Sequence, residues 1–315
     1  METRQAGHEQ ADSCGGGRAT LREKVCLAAL MTHLVPELSR DAVVSVMRVL
    51  AARSIGVLVS ENELAKHGAA LEPYGSLVQV TDESTLGQVD VCLVLGGDGT
   101  MLRALRLFGP CGVPVAGMNL GRVSFFATID RTCVEHDVGR VLEGDFCAYG
   151  LPALEACVEE HCFTALNDVV VSRPAGTNVV ELSFVLAGVE FPGVRCDGLI
   201  AATPAGSSAY NLSAGGPFLG IGLDGFVVSF ISPHSLWTRP IVAAGSDAFV
   251  VRNSSAHERA DLFVDGEPVL ELFSGSSLAL SMRKDAAVLA LLPGASLYRN
   301  FRDRFVGRGG ADPNR

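Results

Sequence analysis

Leu93-Val94-Leu95-Gly96-Gly97-Asp98-Gly99-Thr100-Met101-Leu102 is the stretch whose reading decides the fold. An apolar run of strand length breaks at a glycine loop, and from Thr100 to Phe108 apolar residues recur at helical spacing. A strand feeding a helix in this way puts Asp98 at the strand's carboxyl end, where open α/β sheets bind ligands. Gly96, Gly97 and Gly99 permit backbone angles closed to other residues and let a phosphate or sugar approach without meeting a Cβ. Asp98 can accept the proton of a ligand hydroxyl, while free amides near the helix start favour a phosphate. Read blandly, the same residues are an N-cap and a tight turn.

Outward from this stretch, residues 23–150 alternate strand-like and helix-like texture. Arg40–Arg53 reads as a helix, and Ile55–Val59 and Val91–Leu95 as buried strands. Strand and helix taking turns imply a parallel sheet, so this part is expected to be an α/β domain. Residues 151–296 change character. Short β-branched runs at Asn178–Leu186, Gly225–Ile231, Ala248–Arg252, Leu278–Met282 and Ala287–Leu292 predict a β-rich, sandwich-like domain. Ala187-Gly188 and Asp265-Gly266 suit tight hairpin turns, because both positions tolerate positive φ. The boundary is placed near Gly150, where Gly144, Gly150 and Pro152 interrupt the periodicity. Residues 1–22 and 307–315 read as mobile tails.

Two further constellations carry chemistry. Cys196-Asp197-Gly198 is followed by Thr203-Pro204-Ala205-Gly206-Ser207-Ser208-Ala209-Tyr210-Asn211-Leu212-Ser213, a loop entering a short helix that Gly215-Gly216-Pro217 stops. Its hydroxyls and amides form a nucleotide-sized polar surface on which Tyr210 can stack; a serine-capped helix is the bland reading. In Ala165-Leu166-Asn167-Asp168-Val169-Val170-Val171, two polar residues interrupt an apolar strand. Asn167 can donate and accept at once, which suits a base or ribose edge, and an Asx turn is the alternative.

Taken together, the Gly-Gly-Asp-Gly-Thr loop, the Asn-Asp pair, the later Asp-Gly and the Thr-Pro-x-Gly-Ser-x-Ala-Tyr run resemble the NAD kinase family in order and spacing. Gly117–Arg122 and Ser232–Pro240 look like family segments too, so the resemblance covers roughly residues 90–300. It implies phosphoryl transfer from ATP, or inorganic polyphosphate, to the 2′-hydroxyl of the adenosine ribose of NAD, with Mg²⁺ held mainly by the nucleotide phosphates. Asp98 matches the family's catalytic aspartate, with Gly96, Gly97, Gly99 and Thr100 in the nucleotide loop. Phe125, Asn167, Asp168, Arg195, Asp197, Ser208, Ala209, Tyr210 and Ser213 match positions that hold the dinucleotide, Arg195 as a phosphate neutraliser. The resemblance also implies homodimers or homotetramers and a C-terminal segment, residues 297–306, packing back on the first domain. Three departures stand out: Ser124 where glycine is usual, Ala205 where threonine or serine is usual, and Asp168 in place of the commoner glutamate. A contact and some backbone freedom are expected to be lost at the first two.

Composition narrows the classes. With 48% hydrophobic and 19% charged residues, a sizeable core is assured. Thirty-five acidic against twenty-five basic side chains give a net charge of −10, which opposes a nucleic-acid or anionic-membrane role. Apolar runs fall short of the roughly 20 residues that span a bilayer, and the polar N-terminus lacks a secretory pattern, so a cytoplasmic protein is expected. Nine cysteines, odd in number and mostly inside apolar runs such as those at Cys92, Cys111 and Cys196, predict free thiols. Cys157, His161 and Cys162 cluster, yet no second pair completes a metal site, so core cysteines beside a surface histidine are expected. His234 and Arg239 are expected as a core histidine and an interface arginine. Two other readings share features: lipid kinases of the diacylglycerol and sphingosine type, which have the glycine-aspartate loop, and a non-catalytic dinucleotide sensor.

Overall fold

The computed structural model describes residues 25–81, 83–120 and 124–305. The expected tails over 1–22 and 307–315, and residues 121 and 122 of the family-like stretch, lie outside the described residues. The chain divides into two compact units. One runs to Tyr149 and takes in the chain from Val288 onward, and the other is Gly150–Ala287.

In the first unit, strands and helices alternate: β1 (Leu27–Thr32), α1 (Arg40–Ala52), β2 (Gly56–Val59), α2 (Glu61–Leu71), β3 (Val78–Val80), β4 (Val91–Gly96), α3 (Asp98–Phe108), β5 (Pro114–Asn119) and α4 (Val134–Leu142). All pairings are parallel, in the order β3-β2-β1-β4-β5. β4 is buried throughout, which explains why its sequence is unbroken apolar and does not alternate. α3 buries Met101, Ala104, Leu105 and Phe108 at spacings of one, three and four; each large side chain contributes about 1.5–3 kcal/mol. α2 begins with Ser60, whose hydroxyl accepts the Glu63 N–H, an N-cap that fixes the helix start.

The second unit contains most of β6 (Cys147–Val158), then β7 (His161–Ala165), β8 (Asp168–Ser172), β9 (Val180–Leu186), β10 (Val189–Cys196), β11 (Gly198–Ala202), the short α5 (Tyr210–Ser213), β12 (Gly225–Ile231), β13 (Ile241–Ala244), β14 (Phe249–Asn253), β15 (Ala260–Val264), β16 (Glu267–Leu272) and most of β17 (Ser277–Leu291). One antiparallel sheet has the order β13-β12-β11-β8-β15-β16, and β10-β9-β14-β17 form another antiparallel run. Alternating inward residues of both, among them Val171, Leu199, Phe226, Phe249 and Leu262, make one core, as in a sandwich. Both expected hairpin turns are present: φ is +49 and +81 at Ala187-Gly188 and +50 and +84 at Asp265-Gly266.

Several expectations are corrected. Leu278–Met282 and Ala287–Leu291 belong to one strand, β17, which ends one residue short of the expected Leu292. The polar Arg283-Lys284-Asp285 between them stays within the strand, with Asp285 at φ +50. The last residues of β17, Val288 and Leu289, pair in parallel with Pro114 and Val115, so the return to the first unit starts earlier than Leu297. α6 (Leu297–Phe305) follows, and Asn300 Nδ2 donates to the carbonyls of Phe125 and Ala127 at 3.1 and 3.4 Å.

The thiol expectation fails at one pair of cysteines and holds for Cys26, Cys92, Cys111, Cys133, Cys147 and Cys196. Cys157 and Cys162 are directly opposed on β6 and β7, with Cα atoms 4.2 Å apart, and form a disulfide. Cys111 is exposed, whereas Cys92 and Cys196 are buried. A cross-link closing so short a loop contributes about 2 kcal/mol. Reduction is therefore expected to lower Tm by a few degrees, and two more thiols should titrate in denaturant after reduction than before it. Equal thiol counts would refute the cross-link.

Candidate functional site

The strand order of the first unit reverses between β1 and β4, and the crevice beyond the carboxyl ends at such a switch point is the ligand position of open α/β sheets. Gly96-Gly97-Asp98 leaves β4 there. Gly97 caps α3 without a side-chain hydrogen bond, so Asp98 is the first helical residue and not the N-cap. None of the three loop glycines has a positive φ, contrary to expectation. Gly96 is required for a different reason: a Cβ there would lie 2.5 Å from Thr100 Oγ1. At Gly97 and Gly99 a Cβ would meet nothing within 4 Å. Thr100 itself is buried, turned toward Gly96.

Ser124 and Phe125 orient Asp98. Ser124 Oγ donates to Oδ1 at 2.6 Å, and the Phe125 amide donates to the same oxygen at 2.8 Å. The departure at Ser124 therefore adds a contact where a loss was expected. Its Oγ also accepts the Ala127 N–H at 3.2 Å, so one hydroxyl ties the Ser124–Ala127 turn to Asp98. Phe125 reaches the site through its amide, since its ring is 1% exposed and packs edge-on against Phe126. Ser124→Ala should lower the turnover of a reaction that uses Asp98 about threefold to tenfold through loss of one charge-assisted bond, with KM little changed. A matching rise in KM would place Ser124 in binding.

The end of β1 carries a polar cluster that sequence reading missed. Glu63 Oε1 accepts the Thr32 N–H at 3.0 Å, and Glu63 Oε2 accepts Thr32 Oγ1–H at 2.5 Å. Lys66 Nζ bonds Glu63 Oε1 at 2.7 Å and Thr32 Oγ1 at 2.8 Å, and Arg103 from α3 donates to the Thr32 carbonyl at 3.0 Å. Burial pushes His67, which contacts Thr32 Oγ1, below the usual imidazole range, with Glu63 opposing. The Ser60-x-x-Glu63 spacing is the local signal, but it points to a helix cap; the contact with Thr32 spans 31 residues.

In the second unit, β7 leads through Leu166 into Asn167-Asp168 at the start of β8. The Thr203 N–H donates to Asn167 O at 2.9 Å, and Thr203 Oγ1 donates to Leu166 O at 2.6 Å while accepting the Gly206 N–H at 3.0 Å. Thus the Thr203-Pro204-Ala205-Gly206 loop is built against Asn167. Beyond it, Ser208 is buried with its hydroxyl on Ala205 O, Asn211 Nδ2 ties Ser207 O to Pro217 O, and Tyr210 and Ser213 are exposed on α5, with Ala209 half-buried. Asp168 is 5% exposed; burial first, then the charge of Asp265, push its carboxyl up to about 7.

Arg195 and Asp197 line a pocket of about 640 Å³ together with Arg173, Asn178, His234 and His257. Arg173 Nε donates to Asp197 Oδ1 at 2.5 Å, and this bond, strengthened by the guanidinium charge, holds Asp197 below the usual carboxylate range. His234 is exposed on this pocket and is not the core histidine expected. Arg239 is also exposed.

A glycine loop at a switch point, an oriented carboxylate and a second, β-rich unit with a polar pocket define a protein that handles a phosphorylated small molecule. Residues 26–146 match the ATP-NAD kinase N-terminal domain and residues 166–290 the ATP-NAD kinase C-terminal domain. An NAD kinase of Moorella thermoacetica is 31% identical over 269 residues, 84% of each chain, and one of Gemmatimonas aurantiaca is 33% identical over 228 residues, 70% of this chain and 78% of that one. Among solved structures, yeast NADH kinase complexed with NADH aligns at a TM-score of 0.79 with 20% identity, covering 91% of this chain and 89% of that one. The chain belongs to the ATP-NAD kinase family.

Proposed function

We propose that the chain phosphorylates NAD to NADP, taking the γ-phosphoryl group of ATP, with Asp98 as proton acceptor. The observation that carries this reading is the Asp98 carboxylate, held by Ser124 Oγ and the Phe125 amide at the carboxyl end of β4. In the reaction the ribose 2′-oxygen bonds to the γ-phosphorus, the β–γ bridging bond breaks, ADP leaves, and the hydroxyl proton passes to Asp98. Phosphoryl transfer asks little covalent chemistry of a protein; it needs alignment and charge compensation. The amides at the start of α3 and the open space over Gly97 and Gly99 suit a phosphate approaching the loop.

The dinucleotide is assigned to Phe125, Asn167, Asp168, Arg195, Asp197, Ser208, Ala209, Tyr210 and Ser213. Arg195 and Arg173 supply positive charge to the pocket, and exposed Tyr210 offers a stacking face. Ser208 contributes through its backbone, because its hydroxyl is committed to Ala205 O. Among the described residues, no three His, Cys, Asp or Glu side chains group so as to hold a metal. Mg²⁺ is assigned to the nucleotide phosphates, where it would offset their negative charge. Homodimers or homotetramers in the cytoplasm complete the reading; no helix among the described residues is long and apolar enough to cross a membrane. Neither the site nor the relatives favour the lipid-kinase or sensor readings.

Initial rates with ATP and with polyphosphate as alternative donors test the assignment. ATP should give the higher kcat/KM for NADP formation, and chelation of divalent metal should stop it. A preference for polyphosphate would reassign the donor.

A further inference from the structure

The two-residue turn between β15 and β16 requires left-handed backbone at Asp265 and Gly266. Asparagine-glycine would serve such a turn equally well, and the aspartate does something more. Asp265 Oδ1 accepts the Asn167 N–H at 2.7 Å and the Asp168 N–H at 3.2 Å, while Oδ2 accepts the Leu166 N–H at 3.0 Å. Its own N–H donates to Asp168 O at 2.9 Å. With Thr203 bonded to the carbonyls of Leu166 and Asn167, each peptide group of this corner is tied from one side or the other. An oxygen pair receiving three N–H donors is matched to an acceptor-only carboxylate, so Asp265 holds the negative charge.

Asp168 lies beside that charge and is buried. On β11 its register partner is Ala202; on the other side β15 and its turn present Val264 and Asp265; the Thr203–Gly206 loop brings no charge. Asp265 is the one charged group facing it among the described residues. Two carboxyls so placed do not both ionise readily, and the one without the N–H cradle keeps the proton. A protonated carboxyl donates as well as accepts.

We infer that Asp265 is a positioning residue: it fixes the Leu166–Asp168 corner and makes Asp168 a hydrogen-bond donor to an acceptor atom of the bound dinucleotide. This rests on the reading that Asn167 and Asp168 hold NAD. A neutral donor there avoids setting a negative charge beside an anionic ligand.

The experiment is NAD binding by calorimetry without phosphoryl donor, at several pH values from about pH 6 to about pH 8.5, with steady-state kinetics and melting curves alongside. In the wild type, NAD affinity should fall about tenfold or more as pH rises through about 7, where Asp168 loses its proton. Asp168→Asn, which keeps a donor at every pH, should bind within about threefold of wild type near pH 6 and show no such fall. Asp265→Asn should weaken NAD binding about tenfold near pH 6 and displace the pH midpoint toward acid, with kcat at saturating NAD changed less than KM. Wild-type affinity independent of pH, or loss of binding in Asp168→Asn, would overturn the proposal. So would an Asp265→Asn protein that melts earlier yet keeps the affinity and midpoint of the wild type. If Asn167→Ala leaves NAD affinity unchanged, the placement of NAD at this corner is itself wrong and the proposal goes with it.

Discussion

Asp98→Asn is expected to lower kcat by roughly two to four orders of magnitude while leaving NAD affinity within about tenfold. The split follows from geometry. The Ser124 Oγ–H and the Phe125 N–H converge on Oδ1. An asparagine can keep its amide oxygen at that position and so preserve both bonds and the shape of the Ser124–Ala127 turn. What disappears is the capacity to take a proton. A binding assay beside a turnover assay separates the two, and parallel loss of affinity and rate would make Asp98 a binding group.

Gly206→Ala should be nearly as damaging, by a different route. A Cβ at this position would sit 2.0 Å from Asn167 O, 2.3 Å from Asn167 C and 2.5 Å from Asn167 Cα. All three are backbone atoms that Thr203 and Asp265 hold from either side, so no flexible side chain can give way. Forcing the strand aside breaks bonds at Asn167 and Thr203 together, a cost on the order of 3–5 kcal/mol. The expected result is a Tm lowered by several degrees and NAD affinity reduced about a hundredfold or more. Gly97→Ala is the control. Its Cβ would meet nothing within 4 Å, so Tm should hold, while KM for the donor rises if a phosphate approaches that surface. An unchanged Gly206→Ala protein would mean that the corner yields more readily than its bonds suggest.

Much of the fold was legible because its signals are local. The unbroken apolar run Val91–Leu95 ending at glycines marks a parallel strand buried on both faces, and the spacing of Met101, Ala104, Leu105 and Phe108 marks the helix after it. The turns at Ala187-Gly188 and Asp265-Gly266 are dipeptide signals, and both are present with positive φ. What escaped was set by partners distant in sequence or by register. The Cys157–Cys162 pairing depends on a two-residue turn, Glu159-Glu160, with no glycine to announce it; Glu159 takes φ +53 nonetheless. β17 reads as two strands because charged residues interrupt it, yet in an antiparallel strand exposed positions can carry charge without ending the ladder.

The candidate site divides in the same way. Asp98, Asn167 and Asp168 were singled out from residue types in short patterns, and the resemblance added weight. Asp265 was seen only as a turn residue, since the amides it holds lie 97 to 99 positions away. Ser124 was taken as a loss because substitution patterns show which residue has changed but not what the new hydroxyl touches; here it bonds Asp98. Of the two reasons read for the loop glycines, positive φ fails: at Gly96 the close approach of Thr100 is what excludes a Cβ, while the space over Gly97 and Gly99 is open.

The most direct test is to incubate the purified protein with NAD, ATP and Mg²⁺, follow ADP and NADP together, and locate the new phosphate by ³¹P and ¹H NMR. NADP should form in step with ADP, with the phosphate on the 2′-oxygen of the adenosine ribose. ADP released without NADP, or phosphate on another hydroxyl, would contradict the account that this chain phosphorylates the 2′-hydroxyl of NAD.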